Sequence, residues 1–145
     1  MRGFFEVGIY NVKREVNVGT LWRSVYQLGA SGIFTIGKRY EKQASDTPKA
    51  YKHIPLRHYI DFDAFQLARP YGTSLVGVEM CGIPLSGFTH PEQAIYLLGA
   101  EDSGLPFSIL EKCQYVVSLE SIEKFSYNVS VAGSIVLYNR VFQSA

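Results

Sequence analysis

Cysteine is scarce. Cys81 and Cys113 are the chain's two, and no C-x-x-C pair occurs. That excludes a disulfide-stapled scaffold and a thiolate metal site, and predicts two reduced, partly buried thiols. An excess of one charge is missing too. Fourteen Lys and Arg stand against thirteen Asp and Glu, a formal net charge of +1, which excludes a strongly basic nucleic-acid protein on composition alone. No apolar run approaches the roughly 20 residues of a membrane span. Met1-Arg2-Gly3-Phe4-Phe5-Glu6 meets an acidic residue too early for a signal peptide, so a cytoplasmic protein is expected. Metal-ligand spacing is absent from His53, His58 and His90. His53 and His58 read as part of a basic patch, and His90, ahead of Pro91, as the cap of a turn.

Three common site motifs are missing as well. There is no G-x-G-x-x-G dinucleotide fingerprint and no G-x-S-x-G nucleophile elbow. Gly99-Ala100-Glu101-Asp102-Ser103-Gly104 has P-loop-like glycine spacing, but Leu105-Pro106 stands where the phosphate-binding Lys-Ser/Thr would be.

What is present is a core. The 145 residues are 47% hydrophobic and include ten Tyr and nine Phe, which rules out disorder. A chain of this length buries about two-thirds of its unfolded surface and needs no staple. One domain over residues 1–145 is expected. The small net charge conceals a split. Residues 1–72 hold eleven basic and six acidic side chains, residues 73–145 three and seven. Lys38, Arg39, Lys42, Lys49, Lys52 and Arg57 crowd together with Tyr40 and Tyr51 among them. Such a stretch either holds phosphates or is a solvated loop, and composition alone leaves both open.

The periodicity predicts an α/β sheet. Phe4–Tyr10, Ile33–Ile36, Ile54–Tyr59, Ser74–Glu79, Ala94–Leu98 and Tyr115–Leu119 read as strands. Val18, Leu21, Trp22, Val25 and Leu28 fall on one helical face, with Asn17 as the expected N-cap. Asp61 caps a short helix to Arg69, and Pro106 opens another to about Lys112. Asn128–Phe142 is the last helix. The alternation predicts a mostly parallel sheet with helices on both faces and ligands at the carboxyl ends of its strands. Small residues on the last helix, Ser130, Gly133 and Ser134, predict a close approach by the sheet or by a second subunit. Phe5, Tyr10, Tyr138 and Phe142 are either interface or core aromatics.

Three segments stand in series: Asn17-Val18-Gly19-Thr20-Leu21-Trp22-Arg23, then Gly99-Ala100-Glu101-Asp102-Ser103-Gly104, then Ser126-Tyr127-Asn128-Val129-Ser130. Singly they are a capped helix with an arginine, a turn, and an N-cap. In this order and spacing they resemble the three motifs of the SpoU-type RNA 2′-O-ribose methyltransferases of the SPOUT class, over essentially the whole chain. The resemblance implies an α/β fold with a C-terminal trefoil knot, S-adenosyl-L-methionine as cofactor, tRNA or rRNA as partner, and a homodimer with its active site near the interface. It implies catalytic roles for Asn17, Arg23, Glu101 and Ser126. Cofactor contacts are implied at Val78, Gly99, Gly104, Ser118, Leu119, Ser126 and Asn128. RNA contacts are expected at Arg23, Lys38, Arg39 and Lys42. Methyl transfer by direct displacement is implied, with no metal and no membrane.

The chain departs from the family pattern in one place. The family carries Ile-Pro-Met-x-Gly ahead of the serine. Here Val117-Ser118-Leu119-Glu120-Ser121-Ile122 lacks the Pro and Gly, and Tyr127 stands where the family has Leu. That departure supports a rival reading, a catalytically weak or inactive RNA-binding or assembly factor. A methyltransferase for a small molecule or a protein side chain is a third, which the basic stretch from Lys38 to Arg57 disfavours.

Overall fold

The computed structural model describes residues 3–37, 53–100 and 103–143. The strands are β1 (Phe4–Tyr10), β2 (Gly32–Ile36), β3 (Leu56–Tyr59), β4 (Ser74–Pro84), β5 (Gln93–Gly99) and β6 (Tyr115–Ser118). They form one sheet in the order β3-β2-β1-β5-β4-β6, and every pairing is parallel. Parallel strands need helical crossovers, and these cover both faces. The helices are α1 (Glu15–Leu28), α2 (Phe62–Ala68), α3 (Phe107–Leu110) and α4 (Val129–Tyr138), followed by a π-helical turn over Asn139–Gln143.

The period-2 alternation of the central strands divides the core. Val7, Ile9, Tyr96 and Leu98 meet Val18, Leu21, Trp22 and Val25 of α1 and Val136 of α4 on one face. Ile95, Leu97 and Leu75 meet Phe65 of α2 and Ile109 of α3 on the other. Gly8 is required on that second face, because a Cβ there would lie 2.0 Å from the Phe34 ring, which stacks on Phe65 with centroids 4.8 Å apart.

Several sequence expectations are corrected. Asn17 does not cap α1. The helix starts at Glu15 after Arg14, whose side chain makes no capping bond, and Asn17 is buried inside the first turn. α3 is a single turn beginning after Pro106. Asp61 does cap α2, accepting from the Ala64 amide at 2.8 Å. His90 caps no turn. It is 2% exposed, with Nδ1 2.7 Å from the Tyr96 hydroxyl and Nε2 2.6 Å from Asn139 Oδ1. His53 stacks on Tyr26, and His58 Nδ1 bonds Thr35 Oγ1. Half-exposed Arg57 pairs with buried Glu6 at 3.1 Å. Burial lifts the Glu6 carboxyl above its ordinary range, and Arg57 partly offsets this. Cys113 lies under Gly77, where burial pushes its thiol up to about 11, while Cys81 is exposed. Phe5 and Tyr10 pack inward, whereas Tyr138 and Phe142 are exposed. Lys38, Arg39, Lys42, Lys49 and Lys52 lie outside the described residues.

The small residues of α4 serve the α1–α4 contact. A Cβ on Gly133 would stand 2.7 Å from Leu21 Cδ1 and 2.9 Å from Leu98 Cδ1. Ser134 Oγ donates to Ser24 Oγ at 2.8 Å. Close packing of α4 on α1 and the sheet accounts for them.

Candidate functional site

A cavity of about 480 Å³ opens at the carboxyl ends of β4, β5 and β6, within the range of small-ligand pockets. Its floor is Val78, Leu98 and Ala132. One wall is the loop after β5, with Gly99, Ser103 and Gly104. The other is the segment leading into α4, with Leu119, Phe125 and Ser126.

The loop after β5 folds back on itself. The Gly104 amide donates to the Ala100 carbonyl at 2.8 Å. Gly104 has φ +65°, and a Cβ on Gly99 would lie 2.3 Å from the Gly104 carbonyl carbon. Both positions therefore need glycine, one for its dihedral and one for the crossing. Glu101, expected between them, lies outside the described residues.

Glu79 also holds this loop, and the sequence reading assigned it no role. Beyond Val78 the β4–β6 register breaks. Val78 and Ile83 both face Val117, so residues 79–82 bulge outward. The bulge turns Glu79 towards the loop. Its Oε2 accepts from the Leu105 amide at 2.8 Å and its Oε1 from the Met80 amide at 3.1 Å. A Cβ on Gly104 would lie 2.5 Å from Glu79 Oε2. The available signal was an acidic residue at the end of a buried strand run.

The first and third motifs meet directly. Asn128 Nδ2 donates to Asn17 Oδ1 at 3.1 Å across most of the chain's length. Asn128 Oδ1 accepts from the Ser130 amide, the Val131 amide and the Ser130 hydroxyl at 2.9, 3.2 and 2.7 Å. One amide side chain thus caps α4 and fixes it to the first turn of α1. Arg23 lies two turns further along α1, exposed, with no hydrogen bond or ion pair among the described residues.

The expected site residues therefore separate. Val78, Gly99, Gly104, Leu119 and Ser126 line the cavity. Asn17 and Asn128 brace its rear, outside the lining. Ser118 pairs in the sheet with Pro84 and is not among the lining residues. Arg23 is not among them either. Glu79 and Lys124 are the charged side chains among the described lining residues. Glycine-backed loops, apolar floor residues and the hydroxyls of Ser103 and Ser126 fit a flat heteroaromatic ring with an attached sugar, so the residues present fit S-adenosylmethionine. Among the described residues no group of three His, Cys, Asp or Glu is placed to hold a metal ion. No helix among them is long and apolar enough to cross a membrane.

Comparisons with known proteins agree with this geometry. The model of the SpoU rRNA Methylase family matches residues 5–138. An uncharacterized tRNA/rRNA methyltransferase of Archaeoglobus fulgidus is 27% identical over 142 residues, 94% of this chain. The chain spans about 63% of that relative's length. Among solved structures, a protein described for 2-OH methylation of C/U34 on tRNA superposes with TM-score 0.81 at 23% identity, covering 95% of this chain and 94% of that one. An AdoMet-bound rRNA methyltransferase from Sinorhizobium meliloti gives TM-score 0.82 at 22% identity, covering 97% and 56%. A TrmH/SpoU tRNA modifying enzyme from A. aeolicus gives 0.84 at 21% identity, covering 98% and 76%.

Proposed function

The chain belongs to the SpoU rRNA methylase family, and on that premise we propose that it methylates a ribose 2′-hydroxyl of tRNA or rRNA in the cytoplasm, using S-adenosylmethionine. The observation that carries this reading is the Asn17–Asn128 bond. It joins the helix bearing Arg23 to the helix whose first turn backs the cavity. When bound, the cofactor would supply a methyl group on a positive sulfur; the ribose oxygen would take it by displacement, leaving S-adenosylhomocysteine, and the hydroxyl proton would pass to water or an RNA phosphate.

The chain's own residues would do the rest. Gly99 and Gly104 let the backbone approach the cofactor, with Val78 and Leu119 against its flat portion and Ser126 at the reacting end. Glu79 keeps the Gly104–Leu105 peptide in place. Arg23 orients the hydroxyl and stabilises the alkoxide character that develops as the proton leaves. A guanidinium carries only donors and no lone pair to offer, so it is better suited to that task than to accepting the proton itself. Glu101, Lys38, Arg39 and Lys42 complete the reading, the first beside the cofactor and the others on RNA phosphates.

Arg23 is exposed and absent from the lining of its own cavity, so we read the working form as a homodimer in which a second copy completes the site. A groove of about 550 Å³ between α1 and α4, lined by Thr20, Ser24, Val131, Ile135 and Tyr138, is the face it would cover. Val131 and Tyr138 are 46% and 50% exposed there, and Phe142, 63% exposed, packs beside Tyr138. Sedimentation should give a dimer that Val131→Glu converts to monomer; an unaltered monomeric wild type would sink this part. The passage of the chain from β6 at the sheet edge back to α4 beside α1 supports the family's trefoil knot. Residues 1–145 are read as one catalytic domain.

The experiment is transfer of labelled methyl from S-adenosylmethionine to total RNA lacking the modification, followed by mass-spectrometric mapping of ribose methylation. Label on a base, or full transfer by Arg23→Ala, would refute the proposed chemistry. RNA binding with neither transfer nor cofactor binding would favour the assembly-factor reading.

A further inference from the structure

The wall of the cavity that leads into α4 is built from an unusual stretch. Leu119–Tyr127 reads LESIEKFSY and contains neither Pro nor Gly. No residue type in it fixes a backbone dihedral. Residues 120–127 are all exposed, Ile122 at 97% and Phe125 at 79%. Core packing therefore does little to hold it. Yet Ser121, Lys124, Phe125, Ser126 and Tyr127 line the cavity, so the shape of the cavity depends on this stretch having one conformation.

Hydrogen bonds supply what packing and residue type do not. The Tyr127 hydroxyl donates to the Glu120 carbonyl at 2.7 Å, joining the two ends of the segment into a closed strap. Outside the strap, the Ser86 amide donates to Glu120 Oε2 at 3.2 Å, which anchors one end to the turn at Leu85–Gly87. Inside it, Ser121 Oγ donates to the Glu123 carbonyl at 2.5 Å. Of the three, the tyrosine bond spans the whole segment. Removing it leaves a chain anchored at Glu120 and at the Asn128 cap, with only the local Ser121–Glu123 bond between.

We propose that Tyr127 is a positioning residue for the cofactor: its hydroxyl closes the 120–127 strap and so holds one wall of the cavity in its binding shape. The proposal rests on the reading that this cavity holds S-adenosylmethionine. Preforming a wall lowers the ordering cost that binding would otherwise meet. The bond is a neutral, exposed one, so Tyr127→Phe should weaken cofactor binding only about 3- to 10-fold.

The test is calorimetry of the full chain with S-adenosylhomocysteine and S-adenosylmethionine, on the wild type, Tyr127→Phe and Tyr127→Leu. Both ligands should weaken in Tyr127→Phe by the same factor, with unfolding midpoint and RNA affinity unchanged. Amide hydrogen exchange of residues 121–126 should be faster in Tyr127→Phe even without ligand, a readout independent of what the cavity holds. Wild-type affinity in Tyr127→Phe beside weak binding in Tyr127→Leu would overturn the proposal, because the ring and not the tie would then matter. Unchanged exchange in the strap would overturn it equally. Failure of the wild type to bind either ligand would instead overturn the reading of the cavity, and the proposed role with it.

Discussion

Two arginines of the α1–α4 layer do opposite things. Arg140, in the turn after α4, is fully buried at the amino ends of β1 and β5. Its Nη1 donates to the Pro91 carbonyl at 2.6 Å and the Tyr96 hydroxyl at 3.1 Å, its Nη2 to the Glu92 carbonyl at 2.8 Å. Its guanidinium carbon lies 4.6 Å from the centroid of the Phe5 ring. Arg23, just past the middle of α1, is exposed and unbonded among the described residues. A guanidinium offers five donors. Where the fold engages them, the residue holds structure; where it leaves them open, they remain for a ligand. The stability of this protein should therefore follow Arg140, and its activity Arg23.

The sharpest way to break that contrast is to exchange the consequences. Arg140→Met removes donors from two carbonyls and a hydroxyl. Each hydrogen bond to a charged group is worth about 1.5–3 kcal/mol, so losing three should cost at least about 4 kcal/mol. Urea unfolding measures it, and a change under about 1 kcal/mol would contradict the structural role. Arg23→Ala should do the reverse. The methyl-transfer rate should fall at least about 100-fold, the scale of losing one transition-state charge stabiliser. The urea midpoint should move little, since exposed substitutions usually stay within about 0.5 kcal/mol. A large stability loss from Arg23→Ala would erase the distinction.

Asn128 lies between the two cases, because it both caps α4 and ties α4 to Asn17. Asn128→Ala should cost about 1–2 kcal/mol, as loss of a helix cap does. Asn128→Asp separates the roles: the carboxylate still accepts from the Ser130 and Val131 amides, but has no donor for Asn17 Oδ1. Most stability should be retained while methyl transfer falls. Equal stability losses in the two variants would mean that the tie, not the cap, carries the energy.

The legibility of the molecule followed how local each cause was. The six strands and the helical stripe of α1 were readable, because burial imposes periods of 2 and 3.6 on neighbouring residues. The Asp61 cap was readable because its partner is three residues on. Asn17 was misjudged as a cap because its partner, Asn128, is at the other end of the chain, and its type alone is equally suited to capping. Glu79 escaped notice for the same reason. Its role arises from a bulge in the β4–β6 pairing and from the loop that Gly99 and Gly104 fold towards it. The small face of α4 was read as a close approach, but whether by this chain or a second copy depended on where Leu21 and Leu98 lay. His90 looked like a turn residue beside Pro91. Only the fold brings Tyr96 and Asn139 to its two ring nitrogens.

His90 allows the last and smallest test of the buried end. Burial holds its imidazole below the ordinary 6.5; the Asn139 bond opposes this, and the nearby Arg140 charge adds to it. The Tyr96 hydroxyl, which receives Arg140 Nη1, donates to Nδ1, and Nε2–H donates to Asn139 Oδ1. This assignment of protons leaves the ring neutral. As pH falls through about 6.5 the unfolded chain takes up a proton that the folded chain resists. Stability is therefore fully present above about 6.5 and declines below it, by at most about 1.4 kcal/mol per pH unit, until the folded imidazole itself titrates. Glu6, with its raised carboxyl, contributes with the opposite sign. The informative quantity is thus the difference between wild type and His90→Gln. Thermal unfolding midpoints from pH 7.5 to 5.5 should drop further in the wild type than in His90→Gln. Arg23→Ala should show the wild-type slope, since Arg23 is exposed and takes no part in the His90–Tyr96–Asn139–Arg140 network. Parallel slopes in wild type and His90→Gln would show that His90 takes up its proton in the folded chain as easily as in the unfolded one, and that this end of the sheet is less closed than the Arg140 network makes it.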